Sequence, residues 1–220
     1  MKKIKSWMVI AALIVVVLVV FIAADAMGCT KGKKKSVIEK NLETTFEVNK
    51  DGSVVVTYCD SFEEDYYNED ELRGYVNDEI NKFNAEKAVD SSNGISLDSL
   101  KVKDKVATLK LKFANCDDYV LYSADYVNKG RNARLFVGTY DEAVSRGYKF
   151  AAGFKKYSNL SDITLEEAVS GENTFVLFTN EGFNMKIDGE VIAIGDNVEK
   201  TKGVIRTSDK KENYIIFNIK

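Results

Sequence analysis

The side chains that could do chemistry in this chain are carboxylates and thiols, because its 220 residues include no histidine. The chain has 34 acidic side chains, 31 basic ones and three cysteines. Without an imidazole it cannot form a Ser-His-Asp triad, a Cys-His pair or an H-E-x-x-H zinc site. The formal net charge of -3 does not indicate a nucleic-acid partner. We therefore predict no catalytic residue and no binding to nucleic acid.

The densest group of carboxylates, seven in all, lies in residues 60–71. Clustered oxygen ligands suit calcium in an extracellular protein. An EF-hand loop that began at Asp60 would need a ligand at Phe62 and a glycine at Asp65, so that motif does not match. Acidic residues also favour the start of a helix. We therefore favour a solvated acidic loop that leads into a helix, and we predict no metal site and no cofactor.

Two of the three cysteines are a candidate disulfide. Cys59 and Cys116 each end an apolar run and each precede an aspartate. Export from the cytoplasm would permit a bridge between them, and the alternative is two part-buried thiols. A catalytic thiol is not expected, because no histidine is present to activate it.

Aromatic side chains could line a ligand surface, as aromatic anchors often do. The candidates are Tyr66, Tyr67, Tyr119, Tyr122 and Tyr126. Tyrosine is also a common strand residue, and we favour that simpler explanation.

The first 28 residues have the order of an export signal. Three lysines precede an unbroken apolar run of 18 residues, Trp7–Ala24. A basic start, an apolar stretch and a small-residue exit define such a signal. The exit, Ala26-Met27-Gly28-Cys29, resembles the lipobox of bacterial lipoproteins. The resemblance implies cleavage before Cys29 and diacylation of its sulfur, and two acyl chains anchor a protein stably.

A second kind of anchor remains open. The apolar run exceeds the roughly 7–15 residues of a signal core and approaches the ~20 that cross a bilayer. Asp25 also lies unusually near the cleavage point, and Ala26 stands where lipoboxes usually have leucine. The alternative is therefore an uncleaved signal-anchor helix. With either anchor, we expect the rest of the chain on the extracytoplasmic face of the cell membrane.

Cleavage before Cys29 would remove three lysines and one aspartate, so that 28 basic and 33 acidic side chains remain, a net charge of -5. Residues 29–41 would then form a basic tether. Its lysines, Lys31 and Lys33–Lys35, suit anionic lipid head groups.

Local patterns predict the elements of residues 42–220. Asp51-Gly52 lies between two alternating apolar runs and predicts a hairpin. Asn68 and Glu71 form a capping-box pattern ahead of apolar residues at helical spacing, which predicts a helix over about 69–86. Similar patterns at Thr139 and Thr164 predict two short helices. Strands are predicted around 100–102 and 109–113, with a further strand at Val120–Tyr122.

The end of the chain is predicted to be rich in strands, at 175–178, 184–187, 190–194, 204–207 and 214–219. A hairpin is predicted at Asp188-Gly189. The fold class is therefore α+β, with antiparallel sheet against one long helix and two short ones, preceded by the apolar membrane-targeting helix. Residues 42–220 would form the extracellular region, and a seam near 127–135 would divide it if there are two subdomains.

The first 90 residues or so resemble a family of uncharacterised lipoproteins from clostridia-type Gram-positive bacteria. The resemblance lies in the lipobox, the Lys50-Asp51-Gly52 turn, the acidic segment with Tyr66-Tyr67, and the helix that begins near Glu71-Leu72. Ser61 interrupts the Asp-Phe step of that segment. The resemblance implies a cell-surface lipoprotein and supplies no catalytic or binding residues.

These patterns together predict a membrane-anchored cell-surface lipoprotein that acts as a binding or interaction module. Its partner would be a surface protein, a wall polymer or a solute. Two alternatives remain, namely an extracytoplasmic enzyme that uses carboxylates and an accessory subunit of a membrane complex.

Overall fold

The fold is built on two β-sheets, one of seven strands and one of six. The computed structural model describes residues 44–62, 67–87, 94–124, 133–150, 153–171, 173–201, 203–209 and 211–219. Four helices accompany the sheets in these ranges, which confirms the α+β class. The predicted apolar N-terminal helix and the tether lie outside the described residues. None of the described helices is long and apolar enough to span a membrane.

The strands in chain order are β1 (Thr45–Val48), β2 (Val54–Ser61), β3 (Ile95–Lys103), β4 (Val106–Phe113), β5 (Leu135–Thr139), β6 (Phe154–Lys156), β7 (Asp162–Ile163), β8 (Thr174–Thr179), β9 (Asn184–Ile187), β10 (Glu190–Gly195), β11 (Val198–Thr201), β12 (Val204–Thr207) and β13 (Asn213–Asn218). The helices are α1 (Glu69–Lys87), α2 (Cys116–Tyr122), α3 (Tyr140–Ser145) and α4 (Leu165–Ala168).

The seven-stranded sheet, called sheet A, has the order β11-β12-β9-β1-β2-β4-β3. Its pairings are antiparallel except for β1 with β9, which run parallel with Thr45 opposite Asn184. Strands from both sides of the predicted seam thus share one sheet, while most of the seam itself lies outside the described residues. The predicted Asp51-Gly52 turn joins β1 to β2, and Gly52 has a φ of +79° that glycine adopts without strain.

The six-stranded sheet, called sheet B, is antiparallel throughout and has the order β5-β8-β13-β10-β6-β7. The predicted hairpin at Asp188-Gly189 is wrong, because β9 belongs to sheet A and β10 to sheet B. The chain crosses between the sheets there. A Cβ on Gly189 would lie 2.5 Å from the carbonyl oxygen of Asn218, so close packing accounts for that glycine.

The main core lies between the inner faces of the two sheets. Alternate residues of β2 and β4, such as Val56 and Leu111, share one apolar cluster with Leu177 of β8 and Ile215 of β13. A second cluster covers the other face of sheet B, beneath α3 and α4, and includes Phe178. Sheet B is therefore buried on both faces, which explains the near-continuous apolar runs of β8 and β13.

The four helices follow local capping signals. Asn68 Oδ1 accepts the backbone N–H groups of Asp70 and Glu71, so α1 begins as predicted and ends within a residue of its predicted end. The capping boxes at Thr139 and Thr164 both form, which confirms the two short helices. The strand predicted at Val120–Tyr122 is wrong. Asn115 caps a helix there by accepting the N–H of Asp118, and that helix is α2.

Two glycines in different backbone conformations, Gly52 in a turn and Gly74 in helix α1, give a matched pair of variants. Gly52→Ala places a Cβ at a φ of +79° and should destabilise the fold by about 1 kcal/mol. Gly74→Ala, at an exposed position of α1 with nothing near the new Cβ, should stabilise it by about 1 kcal/mol. Urea unfolding of both variants measures the two effects. Changes of the same sign would contradict the assigned turn or the assigned helix.

Candidate functional site

The described residues contain three groups of polar side chains that could have a functional role. One is a carboxylate buried between the sheets, one is a crevice at the edge of sheet B, and one is the outer face of sheet A. Each group lies in a different part of the sandwich that sheets A and B form.

The buried carboxylate belongs to Glu181, which is 5% exposed and lies where the chain passes from β8 to β9. The Tyr119 hydroxyl of α2 donates to Glu181 Oε2 over 2.9 Å. The Glu181 backbone N–H donates to Thr179 Oγ1, and its carbonyl accepts from Thr207 Oγ1. Glu181 therefore ties sheet B, sheet A and α2 together at one point.

Aromatic rings enclose this hydrogen bond. The ring centroid of Tyr119 lies 5.2 Å from that of Phe46, 5.4 Å from Phe113 and 6.2 Å from Phe183. Removal from water, helped by the charge of Glu181, raises the pKa of Tyr119 well above its usual value. The phenol is therefore neutral and donates its proton to the carboxylate. A closed pair of this kind holds the sandwich together and presents no reacting group to a substrate.

Tyr58 adds a second buried phenol to the same region. Its hydroxyl is shielded from solvent and has no hydrogen-bond partner among the described residues. Burial, with smaller contributions from Tyr122 and Glu181, raises the pKa of Tyr58 well above its usual value. An unpaired buried hydroxyl costs stability, so Tyr58 is a destabilising polar group within the core.

The crevice at the edge of sheet B has a volume of about 290 Å³ and is open to solvent. Its charged lining residues are Lys155, Asp196, Glu199 and Lys200. Lys200 Nζ donates to the carbonyl oxygen of Tyr157 over 2.6 Å and lies 4.2 Å from the centroid of its ring. The two cations and two anions balance, so the crevice has no net charge that would select a charged ligand.

The outer face of sheet A carries a group of lysines that we call the lysine face. Its members are Lys101, Lys103, Lys110, Lys112 and Lys186. Those of β3 and β4 are two residues apart in each strand, so each pair points to one side. The strand register places them on the same side, because Lys110 pairs with Ser99 and Thr108 with Lys101.

Hydroxyl groups occupy much of the space between these lysines. Thr57 lies opposite Lys110, and Ser96 lies opposite Lys112. Lys112 Nζ is 3.4 Å from Asp51 Oδ2 at the β1–β2 turn. Hydrogen bonds from Ser53, with Lys112 nearby, lower the pKa of Asp51, so that carboxylate is charged. The lysine face is thus a cationic, hydroxyl-bearing surface.

The candidate disulfide between Cys59 and Cys116 is not formed, and both are free thiols. Cys59 lies on the outer side of sheet A, where its sulfur is 3.8 Å from Thr108 Oγ1. Cys116 lies at the start of α2 within the main core. Sheet A separates the two sulfurs, because alternate residues of β2 point to opposite sides. Burial raises the pKa of the Cys116 thiol to about 12, so it is not a nucleophile at neutral pH.

Two of the five tyrosines proposed for a ligand surface are in the core instead. Tyr119 is 3% exposed and Tyr122 is 6% exposed, because α2 turns both rings inward. Tyr67 packs against Phe62 with ring centroids 4.8 Å apart. Tyr66 and Tyr126 lie outside the described residues.

Cys29 also lies outside the described residues, so its lipidation stays a prediction. The acidic segment at 60–71 is described except for residues 63–66. Within the part of the chain that the structure describes, no three acidic or thiol side chains are grouped so that they could hold a metal ion.

Comparison of this chain with protein-family models, with curated proteins and with solved structures found no match.

Sequence reasoning missed both Glu181 and the lysine face. Asn180-Glu181-Gly182 has the composition of an exposed turn, and nothing local indicates that its carboxylate is buried. The lysine face did leave a signal, since Lys101 and Lys103, like Lys110 and Lys112, have the two-residue spacing of one strand face. Only the register shows that the two pairs lie side by side.

Removing the Tyr119 hydroxyl tests the buried hydrogen bond. Tyr119→Phe should destabilise the protein by about 2 kcal/mol, because the buried carboxylate loses a donor. Glu181→Gln, which retains an acceptor oxygen, should cost less than Glu181→Ala. Chemical unfolding of the three variants and of the double variant Tyr119→Phe, Glu181→Ala measures the coupling. Strict additivity of the two changes would show that the side chains do not interact.

The pKa of Tyr119 predicts a dependence on alkaline pH. The pKa of Tyr119 in the folded protein is above the unfolded value of about 10. The contribution of the protonated phenol to the free energy of unfolding is therefore complete below pH ~10 and is lost as the pH rises toward the folded pKa. The loss should approach ~1.4 kcal/mol per pH unit. Unfolding free energies measured above pH ~10 should therefore fall more steeply for the wild type than for Tyr119→Phe. Parallel curves would contradict this assignment.

Proposed function

We propose that this protein is a bacterial lipoprotein, anchored by a diacylated Cys29, that displays the α+β sandwich outside the cell membrane as a binding module. The order of lysines, apolar run and Gly28-Cys29 supports the anchor. The proposal places the chain with the clostridia-type lipoproteins that its first 90 residues or so resemble.

The observation that favours a binding module is the uncovered outer face of sheet A. The inner face of that sheet packs in the main core, and both faces of sheet B are buried. The four described helices pack against these clusters and leave the lysine face in solvent. A polar surface built on paired strands suits recognition of an extended partner, because its charges keep fixed positions.

The buried chemistry of the fold does not favour an enzyme. Glu181 is enclosed by aromatic rings and engaged by Tyr119, and the Cys116 thiol is protonated at neutral pH. Neither group meets the crevice at the edge of sheet B. Binding through an exposed surface therefore agrees better with the described geometry than catalysis by carboxylates.

Mass spectrometry of the membrane fraction tests the anchor. The mature protein should begin at Cys29 and carry the mass of a diacylglyceryl group, because the lipobox directs both steps. Cys29→Ser should accumulate as the full-length precursor, while Cys59→Ser should be processed normally and serves as the control. A wild-type chain that begins at Met1 would refute the lipoprotein and leave the signal anchor.

A further inference from the structure

We propose that the lysine face docks onto the anionic phosphate groups of the membrane lipids and holds sheet A flat against the bilayer surface. This inference rests on the proposed function, because the anchor at Cys29 is what keeps the domain beside the membrane.

Positive charge is concentrated on one face of an acidic protein. Five lysines share the outer face of sheet A, whereas the whole chain has a net charge of -3. At the regularly paired positions of the described strands, the acidic residues that face the same side are Glu47, opposite Lys186, and Glu199, opposite Arg206. Apart from Lys112 with Asp51, no ion pair with an acidic side chain is present at these lysines in the described ranges.

Many of the acidic side chains lie on the other side of sheet A. Helix α1 holds six acidic and three basic residues, and its apolar side packs into the main core. The first turns of α3 and α4 are acidic and cover the far side of sheet B. The cationic layer and the acidic layers are thus on opposite sides of sheet A. A negatively charged surface would attract one side and repel the other, which fixes the orientation.

The lysine face also carries hydroxyl groups that suit lipid head groups. Thr45, Thr57 and Thr108 lie on the same side as the lysines and add hydroxyl donors for phosphate oxygens. The apolar side chains on this face in the described ranges are three valines, Val55, Val106 and Val204, with no leucine, isoleucine or aromatic ring that could reach into the acyl layer. The described face therefore fits contact with head groups and not insertion into the bilayer.

The chain between the anchor and sheet A is long enough for the lysine face to reach the membrane. Fifteen residues lie between Cys29 and Thr45, so the Cα atoms of these two residues can be at most ~55 Å apart. The chain enters sheet A directly at β1, a central strand. A tether of that length lets the face reach the head groups and raises its effective concentration there. Its own lysines would add to the same attraction.

Amine labelling of the full chain in vesicles tests the orientation. The protein is reconstituted in vesicles of phosphatidylcholine alone or mixed with phosphatidylglycerol, treated with an amine-reactive reagent and analysed by peptide mass spectrometry. In the anionic vesicles, the lysine face should be labelled at least about fivefold more slowly than in the vesicles of phosphatidylcholine alone. A factor of about five corresponds to the attraction of a single lysine to an anionic membrane surface. Lys149, Lys155 and Lys156, on the side of sheet B, are internal controls and should not change.

Two charge-matched variants separate the lysine face from net charge. The triple variant Lys101→Gln, Lys103→Gln, Lys110→Gln should lose the protection of Lys112 and Lys186. The control triple variant Lys149→Gln, Lys155→Gln, Lys156→Gln should retain it. Thermal unfolding verifies that both triple variants fold. If the first triple variant does not fold, the single variant Lys103→Gln, at the end of β3, replaces it. The single variant should lose less of the protection.

The outcomes are distinct. Protection in anionic vesicles that disappears in about 1 M salt supports docking, because the Debye length falls to about 3 Å. Equal labelling in both kinds of vesicle overturns it. Protection that needs a soluble poly(glycerol phosphate), and that anionic lipid does not give, also overturns it and indicates a polymer ligand. The intact mass of the same sample reports the anchor separately, so unprotected lysines on an acylated protein refute docking alone.

Discussion

The sandwich depends on the point at residues 180–183 where the chain leaves sheet B and enters sheet A. This crossing is largely buried, so its backbone N–H and C=O groups and the Glu181 carboxylate have to find hydrogen-bond partners within the protein. Side chains provide those partners. Glu181 accepts from Tyr119, Thr207 donates to the Glu181 carbonyl, and the fully buried Asn213 donates to the Thr179 carbonyl. Because these bonds lie in a low-dielectric core, each costs a great deal to break. They hold the two sheets in one arrangement.

That arrangement determines which surfaces are available. The inner face of sheet A packs against sheet B, α1 and α2, and the outer face of sheet B packs against α3 and α4. The outer face of sheet A is then the one broad sheet face left to solvent among the described residues. Two of its lysine-bearing strands, β3 and β4, are consecutive in the chain, but the third, β9, follows much later, so the whole cationic surface exists only when sheet A is complete.

The sequence predicted the features that depend on local chemistry. The cap at Asn68, the boxes at Thr139 and Thr164, and the Asp51-Gly52 turn each involve residues within four positions of one another, and each was confirmed. Strands β5, β6, β7 and β11 were missed. Of these, β7 has two residues, and β11 is an edge strand in which only Val198 is buried, so neither has an apolar pattern to read.

The sequence-based predictions failed where one local pattern is compatible with two structures, because tertiary packing decides between them. Asp188-Gly189 has a hairpin composition, yet its strands belong to different sheets. Cys59 and Cys116 look alike in sequence and lie on opposite sides of sheet A. The burial of Glu181 and the alignment of the lysines depend on register and on the crossing, neither of which leaves a local trace.

The most direct test of the whole account uses the native thiol of Cys59, which lies on the outer side of sheet A beside Thr108. A fluorophore on Cys59 of the membrane-anchored protein should be quenched strongly by lipids with a quencher on the head group. A fluorophore on Glu166→Cys at α4, in a Cys59→Ser background, should be quenched weakly, because α4 lies beyond sheet B. Equal quenching, or stronger quenching at position 166, would contradict an orientation with sheet A against the membrane.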